Sequence, residues 1–84
     1  MQKPVDYRAY ITIDPNISFG KPCIKGTRFT VYDVLDYMAG GMTVEDLLED
    51  FPYLTREGIQ AALAFAAEFK RLYPYHVRTT DFSR

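Results

Sequence analysis

One helical segment constrains the fold of this chain more than any other stretch. Between Thr55 and Tyr73, the apolar side chains placed at 100° per residue cover about 200° of arc. A helix that packs on one small core needs little more than about 100°. Thr55 can cap the start of this helix, and Pro74 lies just beyond its end. The excess apolar surface consists of Ala61, Phe65, Phe69 and Leu72.

This excess surface must be covered by something, because the chain is small. It has 84 residues, enough for one domain. Cys23 is the single cysteine and His76 the single histidine, so neither an intrachain disulfide nor a zinc site can form. Two interpretations stay open: the N-terminal sheet or the tail folds over the surface, or a second chain does. The arc predicts a homodimer in solution, and we expect no cofactor or metal.

Residues 1–30 predict a small β-hairpin element. Residues 10–13 alternate and are rich in β-branched side chains, as is typical of a half-buried strand. Residues 14–16 read Asp-Pro-Asn, which predicts a turn, and Lys25-Gly26 predicts a second, tighter one. We therefore expect two or three short strands ahead of the helical part of the chain.

Three helices follow and predict the fold class. Thr30 can cap a helix over 31–39, which the glycines at 40 and 41 end. Thr43 opens a short helix that buries Leu47, Leu48 and Phe51 and ends before Pro52. The chain then divides into an N-terminal β-hairpin element (1–30), a three-helix core (31–73) and a C-terminal tail (74–84). We expect a mainly α single domain with a small N-terminal β element, of homeodomain-like helix-turn-helix or winged-helix-like type.

The charge pattern bears on DNA binding. Arg56 and Gln60 lie on the first turns of the third helix, where a recognition helix meets base edges. Residues 31–69, however, carry a net charge of −7, against +3 for residues 1–30. Phosphate contacts would therefore come from a basic wing on the hairpin. The wing candidates are Lys21, Lys25 and Arg28. The alternative is a charged edge that prevents strand-to-strand aggregation.

Other functional classes find little support. Cys23 has no nearby histidine and is interpreted as a small buried hydrophobe, so we expect no enzymatic activity. The carboxylates at 45, 46, 49 and 50 alternate between two helix faces and do not converge on a metal. The longest fully apolar run, 61–67, is too short to span a membrane. A lone thiol without a signal peptide favours a cytoplasmic location.

Three runs of the sequence carry a resemblance to a known family. They are IDPNISFGKPCIKGTR at 13–28, GGMTVEDLLEDFPYL at 40–54 and IQAALAFAA at 59–67. Together they resemble the small prokaryotic family called domain of unknown function 433, over residues 8–70. The resemblance implies a homeodomain-like or winged helical domain that is often dimeric. It also implies an antitoxin of the VapB kind, paired with a PIN-like ribonuclease toxin.

Two functional hypotheses follow. The first is a dimeric antitoxin that binds a PIN-like toxin and operator DNA. Its toxin contacts would come from the extra apolar face of the third helix and from the basic tail, where Arg78 or Arg84 can pair with acidic groups of the ribonuclease. The second is a protein-interaction or dimerisation module whose helix-turn-helix is architectural and binds no DNA. The acidity of the second helix favours the second hypothesis, and Arg56 with Gln60 favours the first.

Overall fold

A short β element precedes three helices in the folded chain. The structure is a computed structural model that describes residues 6–72, with side chains up to residue 68. The 3₁₀ turns are Tyr7–Ala9 and Ser18–Gly20, the strands are β1 (Ile11–Thr12) and β2 (Cys23–Ile24), and the helices are α1 (Val31–Ala39), α2 (Val44–Asp50) and α3 (Arg56–Leu72). The predicted mainly α domain with a small N-terminal sheet is confirmed. No helix in residues 6–72 is long and apolar enough to cross a membrane.

The two strands form one antiparallel sheet. Ile11 pairs with Ile24, and Thr12 pairs with Cys23. After β2 the chain turns at Gly26, whose φ of +83° favours glycine, and returns so that Cys23 also bridges Thr30. The predicted turns at 14–16 and 25–26 both form. This sheet places the basic segment 21–28 directly ahead of α1.

Threonine caps set where the helices begin. The Thr30 hydroxyl accepts a hydrogen bond from the Asp33 backbone N–H, and the Asp33 carboxylate accepts one from the Thr30 N–H. Thr43 and Asp46 form the same reciprocal pair at α2. At α3, the Thr55 hydroxyl accepts a hydrogen bond from the Gly58 N–H at 3.0 Å. These bonds explain why the predicted helix starts at 31, 44 and 56 agree with the structure.

The core is built around α3, which contacts both strands, the first 3₁₀ turn, α1 and α2. Ile59 of α3 is completely buried, as are Val34 of α1 and Leu47 of α2. Gly58 lies tight against β2, since a Cβ there would come within 3.0 Å of the Ile24 Cγ2 atom. The absence of a side chain on Gly58 lets the first turn of α3 approach the sheet this closely.

We expect Leu47→Ala to lower the free energy of unfolding by about 2–5 kcal/mol, because it leaves a cavity in a fully packed site. Leu48→Ala is the matched control, since the neighbouring side chain is only half-buried. Urea denaturation followed by circular dichroism measures both. Equal losses for the two variants would contradict the burial of Leu47 and the partial exposure of Leu48 on α2.

Candidate functional site

The cations predicted to form a basic wing are exposed on the hairpin. Lys21 precedes β2, and Lys25 and Arg28 follow it on the turn that leads to Thr30. Within residues 6–72 none of the three forms an ion pair. Their charges are therefore available to a ligand or partner.

Arg56 occupies a different electrostatic setting. Its Nη1 atom donates a hydrogen bond to the Glu45 Oε2 atom at 3.1 Å, joining α3 to α2. The two side chains are 58% and 70% exposed, so the pair contributes at most about 1 kcal/mol to stability. Gln60 is also exposed, one turn further along α3. Both predicted base-reading residues thus lie on the surface. Arg56, however, is already paired with a carboxylate of the acidic helix α2.

The predicted interface on α3 is partly used inside the chain. Ala61 is completely buried in the core and offers no surface to a partner. Phe65 is half-buried, and the Tyr7 ring packs edge-on against it with centroids 5.4 Å apart. The N-terminal segment therefore covers part of the extra apolar face. The side chains of Phe69 and Leu72, and all of Arg78 and Arg84, lie outside the described residues.

The rest of that face opens into a small depression, which we call the α3 groove. It has a volume of about 220 Å³. It is lined by Tyr7, Arg8, Ile11, Ile13 and Phe65. Ile13 is 59% exposed, although the alternating pattern of residues 10–13 is typical of a half-buried strand. The guanidinium carbon of Arg8 lies 6.0 Å from the centroid of the Tyr7 ring. An apolar depression beside a cation suits an acidic protein surface that carries an apolar side chain.

A larger depression lies between the hairpin and the helices, and we call it the aromatic groove. It has a volume of about 780 Å³ and is lined by Ile17, Gly26, Thr27, Arg28, Phe29, Asp33, Tyr37, Phe51 and Tyr53. Phe51 is central, since its ring lies 4.8 Å from Phe29, 5.4 Å from Tyr37 and 6.2 Å from Tyr53 between centroids. Tyr53 stays 59% exposed, so the groove presents aromatic rings to solvent.

The sequence predicts that Phe51 faces the core from the end of the second helix, and its side chain does pack against the core. It is only half-buried, whereas Leu47 is fully buried. This partial burial arises at the end of α2, where Phe51 leaves helical geometry with φ −128° and ψ 78°. Its ring therefore contacts the core residue Phe29 and the exposed Tyr37, and also lines the aromatic groove.

Phe19 is the most exposed large apolar side chain among the described residues, at 95%. Its φ of 58° and that of Ser18, 50°, lie in the left-handed region that favours glycine. Each such residue costs roughly 1–3 kcal/mol and persists only where neighbouring interactions hold it. Here the Gly20 N–H bonds to the Ile17 carbonyl, and the Lys21 N–H to the Ser18 carbonyl. The turn therefore holds an aromatic ring out in solvent.

These features define the chain as a small three-helix domain with two apolar depressions and a basic hairpin. A family model described as a protein of unknown function, DUF433, matches residues 11–66. The chain belongs to the DUF433 family.

Two relatives extend this comparison. The chain is 42% identical over 59 residues to "Uncharacterized protein y4eO" of Sinorhizobium fredii, which covers 70% of the chain and 27% of that protein. It is also similar to the crystal structure of a DUF433 member from Anabaena variabilis, with a TM-score of 0.62 and 30% identity over 76% of the chain and 59% of that structure. The chain thus spans about a quarter of the curated relative. The fold is shared with that DUF433 member.

The backbone strain at Phe19 can be measured with two variants. Phe19→Gly and Phe19→Ala both remove the ring, but only glycine adopts a φ of 58° without strain. We expect Phe19→Gly to be more stable than Phe19→Ala by about 1 kcal/mol. Chemical denaturation of both variants gives the difference. A more stable Phe19→Ala variant would show that the left-handed turn at 18–20 does not form.

Proposed function

We propose that this chain is the antitoxin-like member of a toxin–antitoxin pair, of the VapB kind. As a homodimer it binds and neutralises a PIN-like ribonuclease, and it acts in the cytoplasm without catalytic activity of its own. The observation that carries the proposal is the α3 groove, where apolar side chains remain open to solvent beside Arg8. Such a surface on so small a domain favours a protein ligand.

The chemistry of the α3 groove fits the expected partner. Ribonucleases of the PIN type have acidic active sites, and Arg8 offers a guanidinium that can pair with two carboxylate oxygens at once. The exposed side chain of Ile13 and the half-buried Phe65 supply apolar contact area next to that charge. An arginine beside apolar anchors is the composition typical of energetically important interface positions. The basic tail, with Arg78 and Arg84, would add to this contact.

The proposed lack of catalytic activity is supported by the surroundings of Cys23, the single cysteine of the chain. Cys23 is buried, and its S–H group donates a hydrogen bond to the Lys21 carbonyl at 3.4 Å. A buried thiol held by a backbone carbonyl behaves as a small apolar side chain rather than as a nucleophile.

Operator binding by the dimer is a second proposal, and the exposed hairpin cations favour it. These cations, Lys21, Lys25 and Arg28, precede the acidic helices in the sequence. Two copies of the chain would double their contribution to phosphate contacts. The Arg56–Glu45 pair opposes a simple recognition-helix mode, because base contact by Arg56 requires it to leave Glu45. If no DNA is bound, the chain is a protein-interaction module with an architectural helix-turn-helix.

We expect a PIN-like open reading frame beside the gene for this chain, and Ile13→Asp to weaken binding of its product at least about tenfold. A carboxylate at 13 would be buried against apolar surface and would repel an acidic partner. Tyr32→Asp is the matched control, since Tyr32 is exposed but lines neither groove. Isothermal titration calorimetry measures both affinities. Equal losses, or no binding by the wild-type chain, would contradict the toxin proposal.

We expect Glu45→Gln to raise duplex affinity more than Glu49→Gln does. The two variants change the net charge equally, but only the first releases Arg56 from its ion pair. Replacing Lys21, Lys25 and Arg28 with alanine should lower the log–log salt slope by about one unit for each lost contact. Fluorescence anisotropy with the upstream promoter and a scrambled duplex measures both effects. Absence of promoter binding at low salt would leave the interaction module as the function.

A further inference from the structure

The turn that carries Phe19 adjoins the aromatic groove. Ile17, two residues before Phe19, lines the groove. The Ser18 hydroxyl donates a hydrogen bond to the carbonyl of Arg28 at 3.3 Å, and Arg28 lines the groove as well. The turn that carries Phe19 therefore borders a depression whose own aromatic rings are open to solvent. The Phe19 ring is 95% exposed and is not among the side chains that line the groove of its own chain.

We propose that a second copy of this chain occupies the aromatic groove, with Phe19 of each copy inserted among the aromatic rings of the other. A two-fold symmetric interface uses the same patch on both chains, so projection and depression must lie side by side on one face. Phe19 and the groove meet this condition. The inference deepens the homodimer of the proposed function and rests on that part alone, since it requires neither toxin nor DNA.

The groove has room for a phenyl ring and suitable chemistry. Its volume of about 780 Å³ exceeds that of one side chain, so it can admit the Phe19 ring together with part of its turn. Aromatic rings prefer edge-to-face or offset contacts with centroids about 4.5–7 Å apart. The rings of Phe29, Tyr37 and Phe51 already pack this way, and the exposed edges of Tyr37 and Tyr53 leave room for one more.

Charge complementarity favours a second copy over other occupants. Lys21 directly follows the projecting turn, and the groove is lined by Asp33 together with Arg28. Two further carboxylates, Asp36 of α1 and Asp50 of α2, are exposed on the helices that contribute Tyr37 and precede Phe51. Two-fold docking places the basic hairpin of each chain against the acidic helices of the other. The net charges of +3 in residues 1–30 and −7 in residues 31–69 have the opposite signs that this pairing requires.

Light scattering and sedimentation over a concentration series test the contact. We expect a wild-type dimer and a dissociation constant at least about tenfold higher for Phe19→Ala. Ile13→Ala is the control, because it truncates another exposed apolar side chain that lies in the α3 groove instead. Its dissociation constant should stay within about twofold of wild type. Circular dichroism establishes that each variant is folded.

Mixing two variants tests whether the contact is reciprocal. Tyr53→Ala damages the groove and keeps Phe19, while Phe19→Ala keeps the groove and loses the ring. A mixed dimer retains one of the two contacts, so it should be weaker than wild type and stronger than either variant alone. Equal weakness of all three pairings would overturn the reciprocal arrangement.

A fluorescent reporter gives a direct readout of the inserted ring. The chain contains no tryptophan, so Phe19→Trp introduces a single indole. Its emission should shift to shorter wavelength at high protein concentration and return on dilution. Solvent-exposed emission at all concentrations, a monomeric wild type, or an undiminished Phe19→Ala dimer would overturn the proposal. Dissociation of the dimer by Ile13→Ala would place the dimer contact at the α3 groove and would also overturn the proposal. Toxin binding is measured in a separate experiment, so a failure of the toxin proposal can be told apart from a failure of this dimer contact.

Discussion

The burial of one face of α3 is the interaction on which the rest of the structure depends. Ile59, Ala61 and Ala62 have no exposed surface, and Gly58 brings the helix to within van der Waals contact of Ile24. The small residues Gly58, Ala61 and Ala62 let a sheet of two short strands share a core with three helices. A chain with one cysteine has no disulfide to replace that core. The stability of the domain therefore depends on this face of α3.

The local signals of the sequence predict the elements well, for identifiable reasons. Thr30 and Thr43 each precede a carboxylate at the third helical position, and glycines and a proline close the helices. Such signals act over three or four residues and can be read without the fold. The apolar arc of α3 is likewise visible as a period of 3.6. The residue that covers part of this arc cannot be predicted in the same way, because Tyr7 lies in a 3₁₀ turn that is far from α3 in the sequence.

The two grooves cannot be predicted from the sequence because each joins segments that are distant along the chain. The aromatic groove takes Phe29 from the hairpin, Tyr37 from α1, and Phe51 and Tyr53 from the link between α2 and α3. The ion pair between Arg56 and Glu45 spans eleven residues and two helices. Exposed apolar residues such as Phe19 carry no periodic pattern that would mark them. Only the fold shows which of these side chains face solvent and which face one another.

The two grooves have no lining residue in common, so a second copy of the chain in one groove would leave the other open to a different protein. Light scattering of the chain mixed with the PIN-like ribonuclease proposed as its partner tests this simultaneous binding most directly. Simultaneous binding predicts the mass of two chains with two ribonucleases. A complex of one chain with one ribonuclease, formed by splitting the dimer, would contradict it.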